Sequence, residues 1–443
     1  MKKINTSPIS GMQELLPETQ AIFDSLKTKI IDTYKKHGFF NIETPVIDRA
    51  EILLAKAGGD TEKQIYKVVK TAEAEDSADQ ALRFDHTVPL ARYVIEHENE
   101  LQFPFKVTQV GRNYRGERAQ KGRFREFYQC DVDVIGRGKL KIAYDADVIS
   151  TLLKAFESFE LDTPVLARIN NRKIITGLLK ALGLTEQTAE IMNIIDHAEK
   201  VTPEQTKQSL EELKLDPKTV KKILAFINLH GERSIVIKDL NNLEIKDETY
   251  NQGVAELDQI LYLLESMELK NQIEADMKIV RGLDYYTGTV FEFILPEHKN
   301  IGSVCGGGRY ENLTGYFSDK PFPGVGGSIG LTRLFYVLNE KNLLKGENTL
   351  LDYAIIPVSE HEYDESLNVA RRLREKGYNT TTVLTDKKLG DKLNYASKLA
   401  KNGIVIGEEE VNSKVLKSKN FETGEESEIN IEVVSNPEDF WSD

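Results

Sequence analysis

The chain has 443 residues, 40% of them apolar and 29% charged, which is ordinary for a globular protein and excludes a disordered or fibrous chain. The length allows two to four domains with an ample core. The formal net charge of −13 excludes a general coat protein for nucleic acid, so any contact with nucleic acid must use local basic patches.

The cysteine count and the hydropathy pattern indicate a cytoplasmic protein. Cys130 and Cys305 are the two cysteines of the sequence, too few for a disulfide framework or a cysteine-based metal site. The first twenty residues contain two lysines with no apolar segment after them, so no secretory signal is expected. No run approaches the roughly 18 apolar residues of a membrane helix, so no membrane partner is expected either.

The first predicted element is an amphipathic helix over residues 18–37. Pro17 suits its start, and Gly38 suits a left-handed cap at its end. Residues 39–45 then form a short predicted strand that ends in a proline. The apolar residues on the inner face of the helix are spaced four apart: Ile22, Leu26, Ile30 and Tyr34.

An antiparallel hairpin is predicted within residues 106–136, where Val107–Tyr114 is the first strand and Gly116–Gly122 is the turn. In the second strand, apolar and polar residues alternate, as in a strand with one face in the core. The core face would carry Phe124, Tyr128, Cys130, Val132 and Val134. The other face would carry Arg123, Arg125, Gln129, Asp131 and Asp133.

The polar face of this hairpin is suited to a charged ligand. From Lys106 to Arg125 there are seven basic residues and one acidic residue, in a chain that is acidic overall. The alternative interpretation is a solvated hairpin at the edge of a sheet, which needs no ligand.

The remaining patterns divide the chain into three predicted domains. A catalytic domain covers residues 1–184 and 246–338, and a helical insertion covers residues 185–245, where Thr202-Pro203 and Asp216-Pro217 mark helix starts. Composition does not indicate what the insertion does. A C-terminal domain covers residues 349–443, where strands alternate with helices in the pattern of a small α/β domain.

Two glycine clusters invite a phosphate-loop interpretation, which the spacing excludes. No G-x-x-x-x-G-K-[ST] motif occurs, and Gly324–Leu334 lacks the third glycine of a dinucleotide-binding loop. We interpret that segment as glycines that admit a close helix, with Arg333 projecting toward the ligand or, alternatively, making a surface salt bridge. Gly306–Gly308 is interpreted as a turn.

Metal and nucleophile chemistry lack support in the sequence. The seven histidines are scattered, without an H-E-x-x-H motif, and no nucleophile elbow is present. Arginines beside glycines or strands remain, in the segments around Arg115 and Arg123, Arg281 and Arg333. Because the guanidinium group binds phosphate oxygens bidentately, this pattern indicates displacement chemistry driven by positioning and charge neutralisation.

Together these segments resemble the class II aminoacyl-tRNA synthetases. Residues 38–45, 114–133 and 324–334 resemble the three motifs of that class. Residues 281–292 (RGLDYYTGTVFE) and 307–310 (GGRY) are similar to stretches specific to the histidyl-tRNA synthetase family. The resemblance implies an α+β catalytic domain on an antiparallel sheet, a helical insertion and a C-terminal α/β anticodon-binding domain. It also implies ATP with Mg²⁺, histidine, tRNA(His) and a homodimer.

The resemblance assigns the nucleotide to five residues. Arg115 would hold the α-phosphate and Arg281 would lie opposite it, so these two are the predicted catalytic residues. Glu117 and Arg123 would assist on ATP, and Arg333 would hold the γ-phosphate. No residue is assigned with certainty to a metal, and Mg²⁺ would accompany the phosphates.

The resemblance also implies a histidine pocket and a tRNA contact. Gln120, at the hairpin tip, would meet the acceptor end of the tRNA. Asp133, Tyr286 and Tyr310 would surround the imidazole, whose one donor and one acceptor suit a carboxylate and a hydroxyl. The residues assigned to histidine are Asp85, Thr87 and Gln129 at the α-amino end, with Asp133, Arg281, Tyr285, Tyr286 and Tyr310.

Two other functions stay open at this stage. A non-catalytic relative, resembling the regulatory subunit of ATP phosphoribosyltransferase, would keep the fold and the histidine pocket but would not need the ATP arginines. A generic nucleotide-binding α/β protein is what remains if the resemblance is set aside.

Overall fold

The computed structural model describes residues 4–55, 62–72, 79–120, 122–280, 286–311, 314–315, 317–344, 351–413 and 415–430. The chain divides into two compact units, the larger formed mostly by residues 25–345 and the smaller mostly by residues 346–443.

A large sheet forms the centre of the larger unit. The strands described before residue 345 are β1 (Phe40–Asn41), β2 (Ile47–Arg49), β3 (Lys67–Val68), β4 (Gln80–Leu82), β5 (Phe105–Tyr114), β6 (Glu126–Ile135), β7 (Leu166–Asn171), β8 (His230–Gly231), β9 (Ile273–Asp276), β10 (Thr289–Ile294), β11 (Cys305–Tyr310) and β12 (Gly324–Ile329). The sheet has the order β1-β5-β6-β12-β11-β10-β7-β9-β8, and a short second sheet has the order β2-β4-β3.

The large sheet is antiparallel from β5 through β6, β12, β11 and β10 to β7. Parallel pairs occur near its edges, between β1 and β5 and between β7 and β9. The predicted antiparallel sheet is therefore confirmed.

Helices cover this sheet and fill the segment predicted as an insertion. Those described before residue 345 are α1 (Pro17–Lys36), α2 (Ala50–Leu54), α3 (Thr87–Glu96), α4 (Ala143–Glu157), α5 (Arg172–Ala181), α6 (Thr188–His197), α7 (Pro203–Glu212), α8 (Pro217–Ile227), α9 (Arg233–Asn242), α10 (Glu248–Ser266) and α11 (Leu331–Glu340). Gly38 has a φ of +79°, which fits the predicted cap after α1. Thr202 forms a capping box at α7, and Asp216 accepts two backbone hydrogen bonds at α8.

The predicted hairpin is formed by β5 and β6, which pair from Phe105 with Ile135 to Tyr114 with Glu126. Cys130, Val132 and Val134 are fully buried on the predicted core face. The solvated-edge alternative is wrong, because β6 lies between β5 and β12 inside the sheet.

Gly306–Gly308 lies within strand β11, so the predicted turn is wrong. A Cβ atom at Gly307 would lie 2.2 Å from the carbonyl oxygen of Gly326 and 2.4 Å from the Phe291 ring. Glycine is present here because neighbouring groups approach the backbone closely, and no turn conformation is involved.

The smaller unit contains a mixed sheet of order β14-β13-β15-β16-β17, in which β13 pairs in parallel with β14 and β15 and the remaining pairs are antiparallel. Its described elements are β13 (Leu351–Pro357), α12 (Tyr363–Glu375), β14 (Thr380–Thr382), α13 (Leu389–Ala396), β15 (Ala400–Ile406), α14 (Glu408–Ser413), β16 (Val415–Asn420) and β17 (Glu426–Asn430). The predicted α/β character is confirmed. No helix in the described parts of either unit has the length and apolar character needed to cross a membrane.

Candidate active site

One face of the large sheet forms the floor of a cavity of about 530 Å³. Ten of the residues predicted from the sequence line this cavity: Asp85, Thr87, Arg115, Glu117, Arg123, Gln129, Asp133, Tyr286, Tyr310 and Arg333. Gln120 is exposed at the hairpin tip, where its backbone pairs with that of Arg123. Arg281 and Tyr285 lie outside the described residues.

One end of the cavity contains a buried carboxylate held by a tyrosine. The Tyr310 hydroxyl donates a 3.0 Å hydrogen bond to Asp133 Oδ1, and Tyr310 is 1% exposed. Burial, followed by the charge of Asp131, raises the pKa of Asp133 to about 8, although the bond from Tyr310 opposes the shift. A cation or an N–H donor placed here would stabilise the ionised form of Asp133.

Gly326 makes room for this carboxylate. It pairs with Asp133 across the sheet, and a Cβ atom at this position would lie 1.9 Å from Asp133 Oδ1. Because backbone atoms of β6 and β12 hold both residues, a methyl group there must displace the carboxylate.

We therefore expect Gly326→Ala to weaken ligand binding at this end of the cavity by at least ~10-fold, the cost of a lost hydrogen bond to a charged group. Isothermal titration calorimetry with histidine, the ligand that the sequence resemblance implies, measures this. Gly390→Ala is the matched control, because a Cβ atom at Gly390 would meet nothing within 4 Å. Unchanged affinity in Gly326→Ala would contradict the steric role.

Asp85 and Gln129 line the wall beside Asp133. Asp85 Oδ1 accepts a 3.0 Å hydrogen bond from the amide of Val88 at the start of α3. Burial raises the pKa of Asp85, against the opposing effects of that amide and of Arg115. Gln129 and Asp133 lie four residues apart on β6 and therefore share one face of the sheet.

The other end of the cavity is rich in arginine, and Arg115 is held there by aromatic rings. Its guanidinium carbon lies 4.3 Å from the ring centre of Phe84 and 4.9 Å from that of Phe127. Its Nε also donates to the Phe84 carbonyl at 3.3 Å. The guanidinium group is therefore oriented before any ligand arrives.

Two further arginines lie close together near Glu117. Arg123 Nη1 is 3.5 Å from Glu117 Oε2, and Arg333 Nη2 donates a 2.7 Å hydrogen bond to the Ile301 carbonyl. Burial and the neighbouring charge of Arg123 lower the pKa of Arg333. Two guanidinium groups that repel each other in this way favour a polyanion between them.

The cavity thus has two chemically different ends. Asp85, Asp131 and Asp133 carry the acidic character of one end, and three arginines with one glutamate form the other. This arrangement suits a pair of ligands, one with cationic or N–H donor groups and one with several phosphates, brought together between the two ends.

Comparison with known proteins agrees with this chemistry. The family model for histidyl-tRNA synthetase matches residues 11–334, and the model for an anticodon binding domain matches residues 352–436. The chain belongs to the histidyl-tRNA synthetase family. Curated relatives named histidine–tRNA ligase include one from Clostridium tetani, 42% identical over 98% of both chains, and one from Clostridium acetobutylicum, 41% identical over 98% of this chain and 99% of the other.

Solved structures agree on the fold of this histidyl-tRNA synthetase family member. The histidyl-tRNA synthetase of Nostoc sp. PCC 7120 superposes with a TM-score of 0.90 at 35% identity, covering 98% of this chain and 99% of the other. A Bacillus halodurans protein described as an ATP phosphoribosyltransferase regulatory subunit/histidyl-tRNA synthetase has a TM-score of 0.75 at 21% identity, covering 92% of this chain and 100% of the other, and shares the fold.

Several polar residues of this family member escaped the sequence analysis. The sequence pattern puts Asp131 on the polar face of the hairpin without indicating a role and does not distinguish Ser328, yet both line the cavity. Arg309, which precedes Tyr310, is 4% exposed and pairs with the fully buried Asp145 at 2.6 Å. The signal for Asp131 was the alternation of β6, whereas Asp145 and Arg309 are 164 residues apart and gave no local signal.

Proposed function

We propose that the protein is a histidine–tRNA ligase. It activates histidine with ATP to histidyl-adenylate and pyrophosphate, and it then transfers the histidyl group to the 3′ end of tRNA(His). One observation carries the proposal: a single cavity joins the Asp133–Tyr310 pair to the side chains of Arg115 and Arg333.

In the first step, a carboxylate oxygen of histidine attacks the α-phosphorus of ATP, and pyrophosphate leaves. Arg115, fixed by two rings, stabilises the charge that develops on the α-phosphate oxygens. Arg333 and Arg123 hold the outer phosphates. Arg281 is proposed to face Arg115 across the reacting phosphate. In the second step the terminal ribose hydroxyl of the tRNA attacks the acyl carbon, and AMP leaves.

Recognition of histidine is assigned to the acidic end. The ionised Asp133 accepts an imidazole N–H, while Tyr286 and Tyr310 enclose the ring, and Tyr286 lies beside the β11 backbone at Gly308. Asp85, Thr87 and Gln129 receive the α-ammonium group, and Tyr285 is proposed as a further contact. An amino acid without the imidazole would leave these buried groups unpaired, which is strongly unfavourable.

Mg²⁺ is proposed to accompany the β- and γ-phosphates. It typically uses one or two carboxylates together with phosphate oxygens and water, and Glu117 supplies one carboxylate beside Arg123. When bound, the ion would neutralise charge on the phosphates as pyrophosphate departs. Arg115, Arg123 and Arg333 would orient the phosphates of ATP.

The partners are proposed to be tRNA(His) and a second copy of the chain. Gln120, which is exposed at the hairpin tip, would meet the acceptor end, and the C-terminal α/β unit would read the anticodon. Three apolar side chains between residues 40 and 47 support a homodimer: Phe40 is 69% exposed, Val46 38% and Ile47 45%. Two buried free cysteines support a cytoplasmic location.

A regulatory subunit of ATP phosphoribosyltransferase is the alternative, and it is supported by the fold likeness at 21% identity. The arginine end of the cavity favours the ligase, because a histidine-sensing subunit needs no phosphate site. Charging of tRNA(His) with radiolabelled histidine by the purified protein tests the choice. Histidine binding without any charging would favour the regulatory subunit.

The proposed pocket makes stability depend on pH. Because the folded protein holds the Asp133 proton up to about pH 8 and the unfolded chain releases it near pH 4, Asp133 stabilises the fold at low pH and loses this contribution as pH rises through the window. The side chain of the Asp133→Asn variant does not titrate. The thermal midpoint of this variant, measured relative to that of wild type, should therefore rise by several °C between pH 4.5 and pH 8.5. Calorimetric scans without added histidine measure the difference. A constant difference would contradict the raised pKa.

A further inference from the structure

Asp131 lies in the cavity wall beside the residues assigned to histidine. It is 5% exposed and pairs across the sheet with Ser328 of β12. The Ser328 hydroxyl donates a 2.5 Å hydrogen bond to Asp131 Oδ1. A buried carboxylate in this position controls how its neighbours can orient their own donors and acceptors.

The hydrogen bonds continue from Ser328 to Gln129. Since Ser328 gives its proton to a carboxylate, its oxygen must act as an acceptor toward other groups. Gln129 Nε2 donates to this oxygen at 2.8 Å, and Gln129 Oε1 accepts a 2.9 Å bond from Asn113 Nδ2. Gln129 Nε2 is therefore directed to Ser328, and Gln129 Oε1 lies on the side of the amide away from Ser328.

Two basic side chains, His86 and Arg83, lie beside Asp131. The His86 ring is 1% exposed, and its Nδ1 lies 3.5 Å from Asp131 Oδ2. Neither ring nitrogen of His86 makes a closer hydrogen bond within the described part of the chain. The guanidinium group of Arg83 also attracts Asp131, and it packs with His86 against Gly111. On the cavity side, Asp85 and Asp133 are like charges that repel the Asp131 carboxylate.

We propose, on the basis of the histidine site described above, that Asp131 is a positioning residue. Through Ser328 it holds the Gln129 amide with its oxygen available to the α-ammonium group of histidine. The ammonium group has donors only, so an amide oxygen attracts it and an amide N–H₂ group repels it. The orientation of one amide thus determines whether Gln129 strengthens or weakens binding.

The consequence of Asp131→Asn follows from the same donors and acceptors. The amide that this substitution introduces can donate to the Ser328 oxygen, and Ser328 then donates to Gln129 Oε1, which turns the Gln129 amide and presents N–H₂ to the substrate. The Asn113 amide turns with it, so that Asn113 Oδ1, which has no hydrogen-bond partner within the described residues, accepts from Gln129 Nε2. We expect the Kd for histidine to rise ~10- to 100-fold, in line with the loss of a charge-assisted hydrogen bond. The Kd for a ligand without the amino group, 3-(imidazol-4-yl)propionate, should change less than ~2-fold.

The experiment is calorimetric titration of both ligands into wild type, Asp131→Asn, Ser328→Ala and the double variant, with competition against histidine for weak binding. We expect each single variant to bind histidine more weakly and to bind 3-(imidazol-4-yl)propionate as the wild type does. The Kd of the double variant for histidine should be no higher than that of the more affected single variant, because the two residues act through one series of hydrogen bonds. Ser150→Ala is the matched control, since that buried serine lies on α4 and bonds the Asp147 carbonyl.

The outcomes separate the inference from the proposed function. Equal losses for histidine and 3-(imidazol-4-yl)propionate would overturn it, because a general collapse of the pocket weakens both ligands. Unchanged affinity for histidine in Ser328→Ala would overturn it as well, whether or not Asp131→Asn folds. A wild-type protein that fails to bind histidine would remove the proposed function and this inference with it.

Discussion

Arg115→Ala should lower the rate of histidine-dependent ATP–pyrophosphate exchange by ~10²- to 10³-fold, the range found when one preorganised donor to a developing oxyanion is removed. Arg115 is already oriented by Phe84, Phe127 and a backbone carbonyl, so its electrostatic contribution requires no rearrangement as the α-phosphate becomes more negative. The loss should therefore appear in kcat, with a smaller effect on the KM for histidine.

A matched variant controls for the loss of a neighbouring arginine. Arg112 lies on β5 three residues before Arg115, is half-exposed and lies 3.5 Å from Glu126, outside the cavity lining. Arg112→Ala should leave the exchange rate within ~2-fold, since exposed ion pairs contribute little. Arg115→Lys should recover little activity, because lysine lacks the planar fork and the stacking surface. Full activity of Arg115→Ala would contradict its assignment to the α-phosphate.

Asp133→Ala should raise the KM for histidine by ~10²-fold and leave the KM for ATP within ~2-fold. The substitution removes the carboxylate that would accept the imidazole N–H, and it leaves the Tyr310 hydroxyl without its 3.0 Å acceptor. The effect should be confined to the amino acid, because ATP is proposed to bind Arg123 and Arg333 at the arginine-rich end of the cavity.

Exchange kinetics with each substrate varied in turn measure this separation. Discrimination should fall as well, so that other amino acids compete better against histidine in the variant than in wild type. Asp147→Ala is a suitable control, since Asp147 pairs with Lys106 outside the cavity lining. A similar rise in both KM values would indicate a damaged fold and would count against the assigned role.

The hairpin and its charges could be predicted from the sequence because the information is local. Alternation along β6 fixed which side chains face the core, and the clustered basic residues around Arg115 and Arg123 indicated an anionic ligand. The helix caps at Thr202 and Asp216 were likewise readable from a few neighbouring residues.

What escaped prediction depends on partners distant in the chain. Gly307 suggested a turn because glycine is common in turns, whereas its actual constraint comes from Phe291 and Gly326 on neighbouring strands. Asp131 had no visible role because Ser328, the residue that connects it to Gln129, is 197 positions away. Such contacts are set by sheet order, which local periodicity does not specify.

The central claim is that one cavity binds histidine at its acidic end and ATP at its arginine end. The most direct test is ATP–pyrophosphate exchange by the purified protein, measured with each of the twenty amino acids in turn. We expect exchange with histidine alone, at a rate at least ~10⁴-fold above that of the others, because a pocket built around polar partners rejects side chains that leave them unpaired. Exchange that is absent with histidine, or equally fast with another amino acid, would contradict the account.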